Sequence, residues 1–211
     1  MNHSGAMAII CFDGCVQMIN FFIIARANEP VHVTYVIIMR GMPGSGKWMF
    51  ADFARLRAIA KGLRDVICRA DHFFETAQGD EWNAAGLRDA HAWCFRKFEW
   101  ALANHVDVVI VDNTNIRVDE FDRYVGVARS ANHYYDIVSF SCDSLPEALQ
   151  MASRSEHRIP ESVIRRRFAE FTRANLHPGL ARGYPHEGIM RLNNTWIEPR
   201  SLDFLLREDE E

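Results

Sequence analysis

The residues best suited to chemistry stand in the string RGMPGSGKWMF, positions 40 to 50. Gly41, four further residues that include Gly44 and Ser45, and then Gly46 and Lys47 reproduce the GxxxxGK spacing of a phosphate-binding loop. Glycines let backbone N–H groups crowd around phosphate oxygens. A helix beginning at the loop's end adds its partial positive terminus, and Lys47 carries a full charge toward the β and γ groups. The next position usually holds Ser or Thr, whose hydroxyl sits on the magnesium of a bound nucleotide; here it is Trp48. Indole has one N–H donor and no acceptor lone pair, so it cannot ligate a metal, and Met49 supplies no substitute. The pattern implies nucleotide phosphate binding with a weakened magnesium site, or else a phosphate-binding relic whose Trp48 only packs on the following helix.

Two carboxylates fit beside such a loop. Asp71 stands in ICRADHFF after the weak strand DVIC (65–68), and Asp112 ends the run VDVVIV (106–111) in the string VDNTN. Ligands collect at the carboxyl ends of strands in open parallel sheets. Carboxylates there suit two tasks, accepting a proton from an attacking hydroxyl and holding magnesium through water. Farther on, Arg154, His157, Arg158, Arg165, Arg166, Arg167 and Arg173 crowd together, opposed only by Glu156, Glu161 and Glu170. That crowd reads either as a solvated helix face or as a grip on a polyanion. Phe168 and Phe171, three apart, read as core. His91 reads as a hydrogen-bonded helix histidine, and no His/Cys grouping has zinc spacing.

The elements that must position these residues alternate along the chain. Short β-branched or aromatic runs, 33–39, 65–68, 106–111, 134–140 and 188–192 (GIMRL), are separated by helical stretches at Lys47 to Lys61, Leu87 to Asn104, Val118 to Ser130, Leu145 to Arg154 and Glu161 to Ala174. Such alternation predicts βαβ units, hence an α/β fold with a doubly wound parallel sheet. Asp143 or Ser144 can cap the fourth helix, Pro146 and Pro160 suit helix starts, and Gly62 ends the first helix.

The expected organisation is an N-terminal extension over 1–32, a main domain over 33–175 with a lid near 154–172, and a C-terminal segment over 176–211 that completes the domain and ends in the acidic REDEE. With 211 residues, 48% hydrophobic and 25% charged, the chain has the composition of one globular domain. A net charge of −4 gives no global basic field, so nucleic-acid contact has to come from a local cluster. Five cysteines without a CxxC pair predict a reducing, cytoplasmic or nuclear setting. The apolar stretch from Met7 to Ala25 is interrupted by Asp13, Gly14, Gln17 and Asn20 and lacks a basic flank, so it reads as an added strand or helix, or as an upstream extension of the true start, and no membrane association is expected.

Taken in order, GMPGSGK, ADHFF, Ala90-His91 with Trp93-Cys94, VDNTN and RSEHRIP (154–160) resemble the polynucleotide-kinase-like P-loop kinases over roughly residues 34 to 172. The resemblance implies a P-loop nucleoside triphosphate hydrolase fold with a small helical lid, an AAA-type ATP-binding domain, and ATP with magnesium as cofactors. It implies that Gly41, Gly44, Ser45, Gly46, Lys47 and Trp48 line the nucleotide, with Lys47 as phosphate clamp. Asp71 becomes the base for a 5'-hydroxyl and Asp112 the magnesium-side carboxylate. Thr114 and Asn115 fall near the γ-phosphate or acceptor, and Arg154 and Arg158 neutralise charge from the lid. The lid departs from the common RNxHGVP form, with Ser155 for Asn and Arg158 for Gly. Three functions stay open: a kinase acting on a nucleic-acid or nucleotide hydroxyl, a small-molecule kinase, and a nucleotide-binding module read by a protein or RNA partner.

Overall fold

Four of the five apolar runs form strands: β1 Tyr35–Arg40, β2 Asp65–Cys68, β3 Val108–Asp112 and β4 Tyr134–Ser139. They come from a computed structural model that describes residues 32–77, 83–155 and 158–175. The fifth run, GIMRL, lies outside the described residues, as do the segment from Met7 to Ala25 and the acidic tail. All the pairings are parallel and the order is β2-β3-β1-β4. Register places Tyr35 beside both Val108 and Tyr134, and Met39 beside Asp112.

The helices are α1 Lys47–Ala60, α2 His72–Ala77, α3 Leu87–Ala103, α4 Val118–Ser130, α5 Leu145–Ala152 and α6 Glu161–Asn175. Alternate residues of β1 look to opposite faces. Tyr35, Ile37 and Met39 pack with Phe50, Ala51, Ala54 and Ala58 of α1. Val36 and Ile38 share the other core with Cys94 and Phe98 of α3 and Phe121 and Tyr124 of α4. Helices therefore cover both faces, which is why β1 is buried along its whole length and reads as continuous apolar sequence. The doubly wound sheet follows.

A third cluster sits beside the phosphate loop. Met42 of the loop and Ile116 after β3 pack with Ala148 and Met151 of α5 and with Ile164 and Phe171 of α6. α5 and α6 are thus docked through apolar side chains on the loops that carry the site. Among the described residues, no helix is long and apolar enough to cross a membrane.

Two local differences from the sequence expectation matter. The fourth helix stops at Ala152 instead of Arg154, because Arg154 N–H and Ser155 N–H bond three residues back, to Met151 O and Ala152 O, a tightening that ends α-helix. Arg154 therefore lies in a turn. The short α2 was not expected, and it begins directly after Asp71, whose carbonyl accepts Phe74 N–H at 3.0 Å.

Candidate active site

β1 delivers the chain into the glycine loop, and α1 starts at Lys47. Gly44 and Gly46 have φ of 70° and 91°, backbone that glycine adopts without strain. Gly46 caps the helix with no side-chain hydrogen bond, and the first turn of α1 has no acidic residue. Leading N–H groups of a 14-residue helix are thus left for an anion. Gly44 also packs closely on the end of α5: a Cβ there would fall 1.8 Å from Met151 O. Since Arg154 N–H bonds that same carbonyl at 3.0 Å, the turn carrying Arg154 is anchored against the loop.

The Lys47 ammonium is buried and curled onto its own loop, donating to Met42 O at 2.8 Å, Gly41 O at 3.2 Å and Ser45 Oγ at 3.3 Å. Burial lowers its pKa to about 8, against the upward pull of the Asp112 and then the Asp71 carboxylates, while the nearby Arg69 charge lowers it further. Both predicted aspartates are therefore close enough to the lysine for their charges to register. The end of β3 and the segment after β2 thus both face the surroundings of Lys47 with a negative charge.

Asp112 is not an open carboxylate. Arg69 Nε and Nη2 both donate to its Oδ2, at 2.8 and 2.5 Å. The Asp112 side chain is 5% exposed and that of Arg69 24%. Sequence reasoning passed over Arg69. The available signal was its place one residue past β2, two before Asp71, where a buried neighbouring carboxylate needs a partner.

The VDNTN string is largely structural. Asn113 accepts Ala70 N–H at 3.0 Å and donates to Cys94 Sγ at 3.3 Å, tying the loops after β2 and β3 to α3. Thr114 O accepts Gly41 N–H at 2.9 Å and so fixes the mouth of the glycine loop. Asn115, at φ 43°, is buried and donates its amide to Met39 O at 2.7 Å. Glu120 on α4 accepts Ile116 and Arg117 N–H and pairs with Arg167 of α6 at 2.9 Å. Arg165 is engaged with Glu161. Arg154 and Arg158 are exposed, and residues 156 and 157 between them lie outside the described set. His91 is half-buried, its pKa lowered first by burial and then by Arg123, with Glu120 and Asp71 pulling the other way.

Trp48 is 55% exposed, so the indole does not fill the cradle. It also offers magnesium nothing. With Asp112 Oδ2 given to two nitrogens of Arg69, that oxygen is not open to a directly ligated magnesium ion.

A family model described as an AAA domain matches residues 36–175. NEDD4-binding protein 2 of Homo sapiens is 26% identical over 140 residues, 65% of this chain and 8% of that protein. A chain from the structure of the Pnkp1/Rnl/Hen1 RNA repair complex superposes with a TM-score of 0.53 at 18% identity, covering 70% of this chain and 47% of that one. The APS kinase CysC of Mycobacterium tuberculosis, in complex with AMPPNP and APS, gives 0.47 at 14% identity over 79% and 92%. The chain therefore spans less than half the length of the curated relative and of the RNA repair chain. At such identity the structural likeness shows the fold, the α/β P-loop arrangement described above.

Proposed function

The chain belongs to the AAA domain family, and on that footing we propose that it is an ATP-binding phosphotransferase acting on a 5'-hydroxyl of a polynucleotide or nucleotide. The observation that carries this reading is the convergence on one buried lysine: Lys47, at the start of a helix without acidic first-turn residues, feels both Asp112 and Asp71 from neighbouring strand tips. The domain is taken as 33–175 with its lid over 154–172.

In-line phosphoryl transfer needs positioning and charge neutralisation more than covalent chemistry. Lys47 leaves the carbonyls of Gly41 and Met42 for the phosphate oxygens. Backbone N–H groups from Gly44 to Trp48 hold the nucleotide tail. Asp71 takes the proton from the acceptor hydroxyl, and Arg154, anchored against Gly44 through the Met151 turn, brings positive charge to the transferred group together with Arg158. Thr114 and Asn115 shape the floor by holding the glycine loop and the end of β1. Magnesium enters this reading only as a weakly held companion of ATP. The basic run of α6 supports a polyanionic acceptor, and the buried free thiols of Cys68, Cys94 and Cys142 support a reducing setting, cytoplasmic or nuclear.

A second reading, a nucleotide-binding module read by a protein or RNA partner, is favoured by Trp48 and by the occupied Asp112. One assay separates them. Transfer of labelled γ-phosphate to a 5'-hydroxyl oligonucleotide is expected above an Asp71→Asn control, and Trp48→Ser is expected to raise the rate. No transfer by wild type or by Trp48→Ser, at any magnesium concentration, rules out the kinase and leaves the binding module.

A further inference from the structure

The contact between Arg69 and Asp112 has a chemistry of its own. Two nitrogens of the guanidinium converge on a single carboxylate oxygen. A guanidinium carries five N–H donors in a rigid fork, so three remain after that engagement. The Asp112 side chain is nearly sealed while the Arg69 side chain keeps about a quarter of its surface in solvent. A cation reaches Asp112 Oδ2 only in competition with Arg69.

Electrostatics point the same way. Arg69 lies near enough to Lys47 to disfavour its proton, and it likewise disfavours a charge on His72. Two cations are thus held close together at the mouth of a loop whose helix terminus is also positive. Proteins do not ordinarily gather buried or half-buried cations without an anion to share. The nearby carboxylates are Asp112, already engaged, and Asp71, exposed enough to serve an acceptor. A nucleoside triphosphate supplies the missing charge. Trp48, at the position where a hydroxyl would bring a metal, removes the competing cation from the other side.

We propose that Arg69 is a fixed phosphate-binding residue standing where a divalent metal would otherwise bridge Asp112 and the nucleotide, with Asp112 as its anchor, so that this site binds nucleoside triphosphates independently of metal. The proposal rests on the reading of the glycine loop as a nucleotide site. It goes beyond that reading by giving Arg69 a role and by changing that of Asp112 from metal-side carboxylate to orienting partner.

The test is calorimetric binding of a non-hydrolysable ATP analogue to the whole chain, once with magnesium and once with EDTA. Wild type is expected to bind with affinities within about threefold of each other, since losing or gaining one ion contact matters little when a charged donor is already in place. Arg69→Gln is expected to weaken binding in EDTA by about tenfold or more, the usual size for a charge-assisted hydrogen bond. It also frees Asp112, so magnesium should now tighten binding. Arg69→Gln leaves Asp112 buried and unpaired, and it can lower stability for that reason alone. Arg69→Gln with Asp112→Asn removes both charges, keeps the pair neutral, and is expected to show the same loss in EDTA with no response to magnesium.

Three results overturn the proposal. The first is wild-type binding tightened tenfold or more by magnesium, on the order of one full ion contact. The second is a double variant, folded by circular dichroism, that binds in EDTA as tightly as wild type, which reduces Arg69 to a structural partner. Both leave the nucleotide site itself standing. The third is no binding by wild type under either condition, which removes the nucleotide reading and this one with it.

Discussion

At the residue scale the decisive side chain is Lys47. A lysine lowered from 10.5 to about 8 is one whose charge the folded protein disfavours, because burial strips it of water at a cost that Asp112 and Asp71 offset only in part. Between those two values the unfolded chain holds a proton that the folded chain has released. Stability from this group is therefore absent below about pH 8, increases as pH climbs toward 10.5, and totals on the order of 3 kcal/mol. An incoming triphosphate reverses the preference. ATP-analogue binding near pH 8.5 is expected to take up a proton, read as a calorimetric enthalpy that varies with the ionisation heat of the buffer, and affinity should fall as pH rises past 8. An enthalpy independent of buffer would mean that Lys47 is charged throughout. Lys47→Met is expected to abolish binding without lowering the melting temperature, because it removes a buried charge that the empty site does not need.

At the element scale the phosphate loop and the end of α5 form one mechanical unit, and Gly44 is the joint. Two glycines test this. Gly44 and Gly62 share φ values of 70° and 69°, but a Cβ at Gly62 meets nothing within 4 Å while one at Gly44 lands 1.8 Å from Met151 O. Gly62→Ala is expected to cost about 1–2 kcal/mol, the left-handed penalty alone. Gly44→Ala should cost more than about 4 kcal/mol by denaturant midpoint, because the obstruction is backbone that cannot rotate away. Equal losses would show that α5 does not rest on the loop. This joint was not legible in the sequence, although its parts were. The glycine spacing, the continuous apolar β1 and β3, and the Ser144 cap, whose hydroxyl accepts Glu147 N–H at 3.3 Å, are local patterns that hold wherever the rest of the chain goes. Arg69 on Asp112 and Asn115 on Met39 join residues 43 and 76 positions apart, and nothing in the neighbourhood of either residue encodes its partner. The same holds for α2, whose six residues are too few for a periodicity to register.

At the scale of the whole molecule, one buried cation holds the far end of α6 to the sheet. Arg40, at the end of β1, donates to Asn175 Oδ1 at 2.7 Å, Ser139 Oγ at 3.1 Å, Ile116 O at 3.1 Å and Phe171 O at 3.4 Å, with its guanidinium 4.2 Å from the Phe171 ring centre. It thereby joins β1, β4, the loop after β3 and the last turns of α6. Burial lowers its pKa to about 10, opposed by Glu120, so it stays charged at neutral pH. A charge so deeply placed is costly to keep, but removing it strands several acceptors, and that second effect should win. Arg40→Met is expected to lose about 2–4 kcal/mol by chemical denaturation. Arg40→Lys should recover only part of this, since one ammonium cannot span four acceptors on three elements. The loss should also be uneven. Amide exchange is expected to quicken in α6 and in the turn after Ile116 while β1 and β3, zipped in register from Tyr35–Val108 to Met39–Asp112, stay protected. Because α6 follows Arg158 and carries the basic run, a loosened α6 should slow phosphoryl transfer while leaving affinity for the ATP analogue, which rests on the glycine loop, nearly unchanged. Exchange that quickens equally in β1 and α6 would instead mark Arg40 as a support of the whole core, with no separate hold on α6.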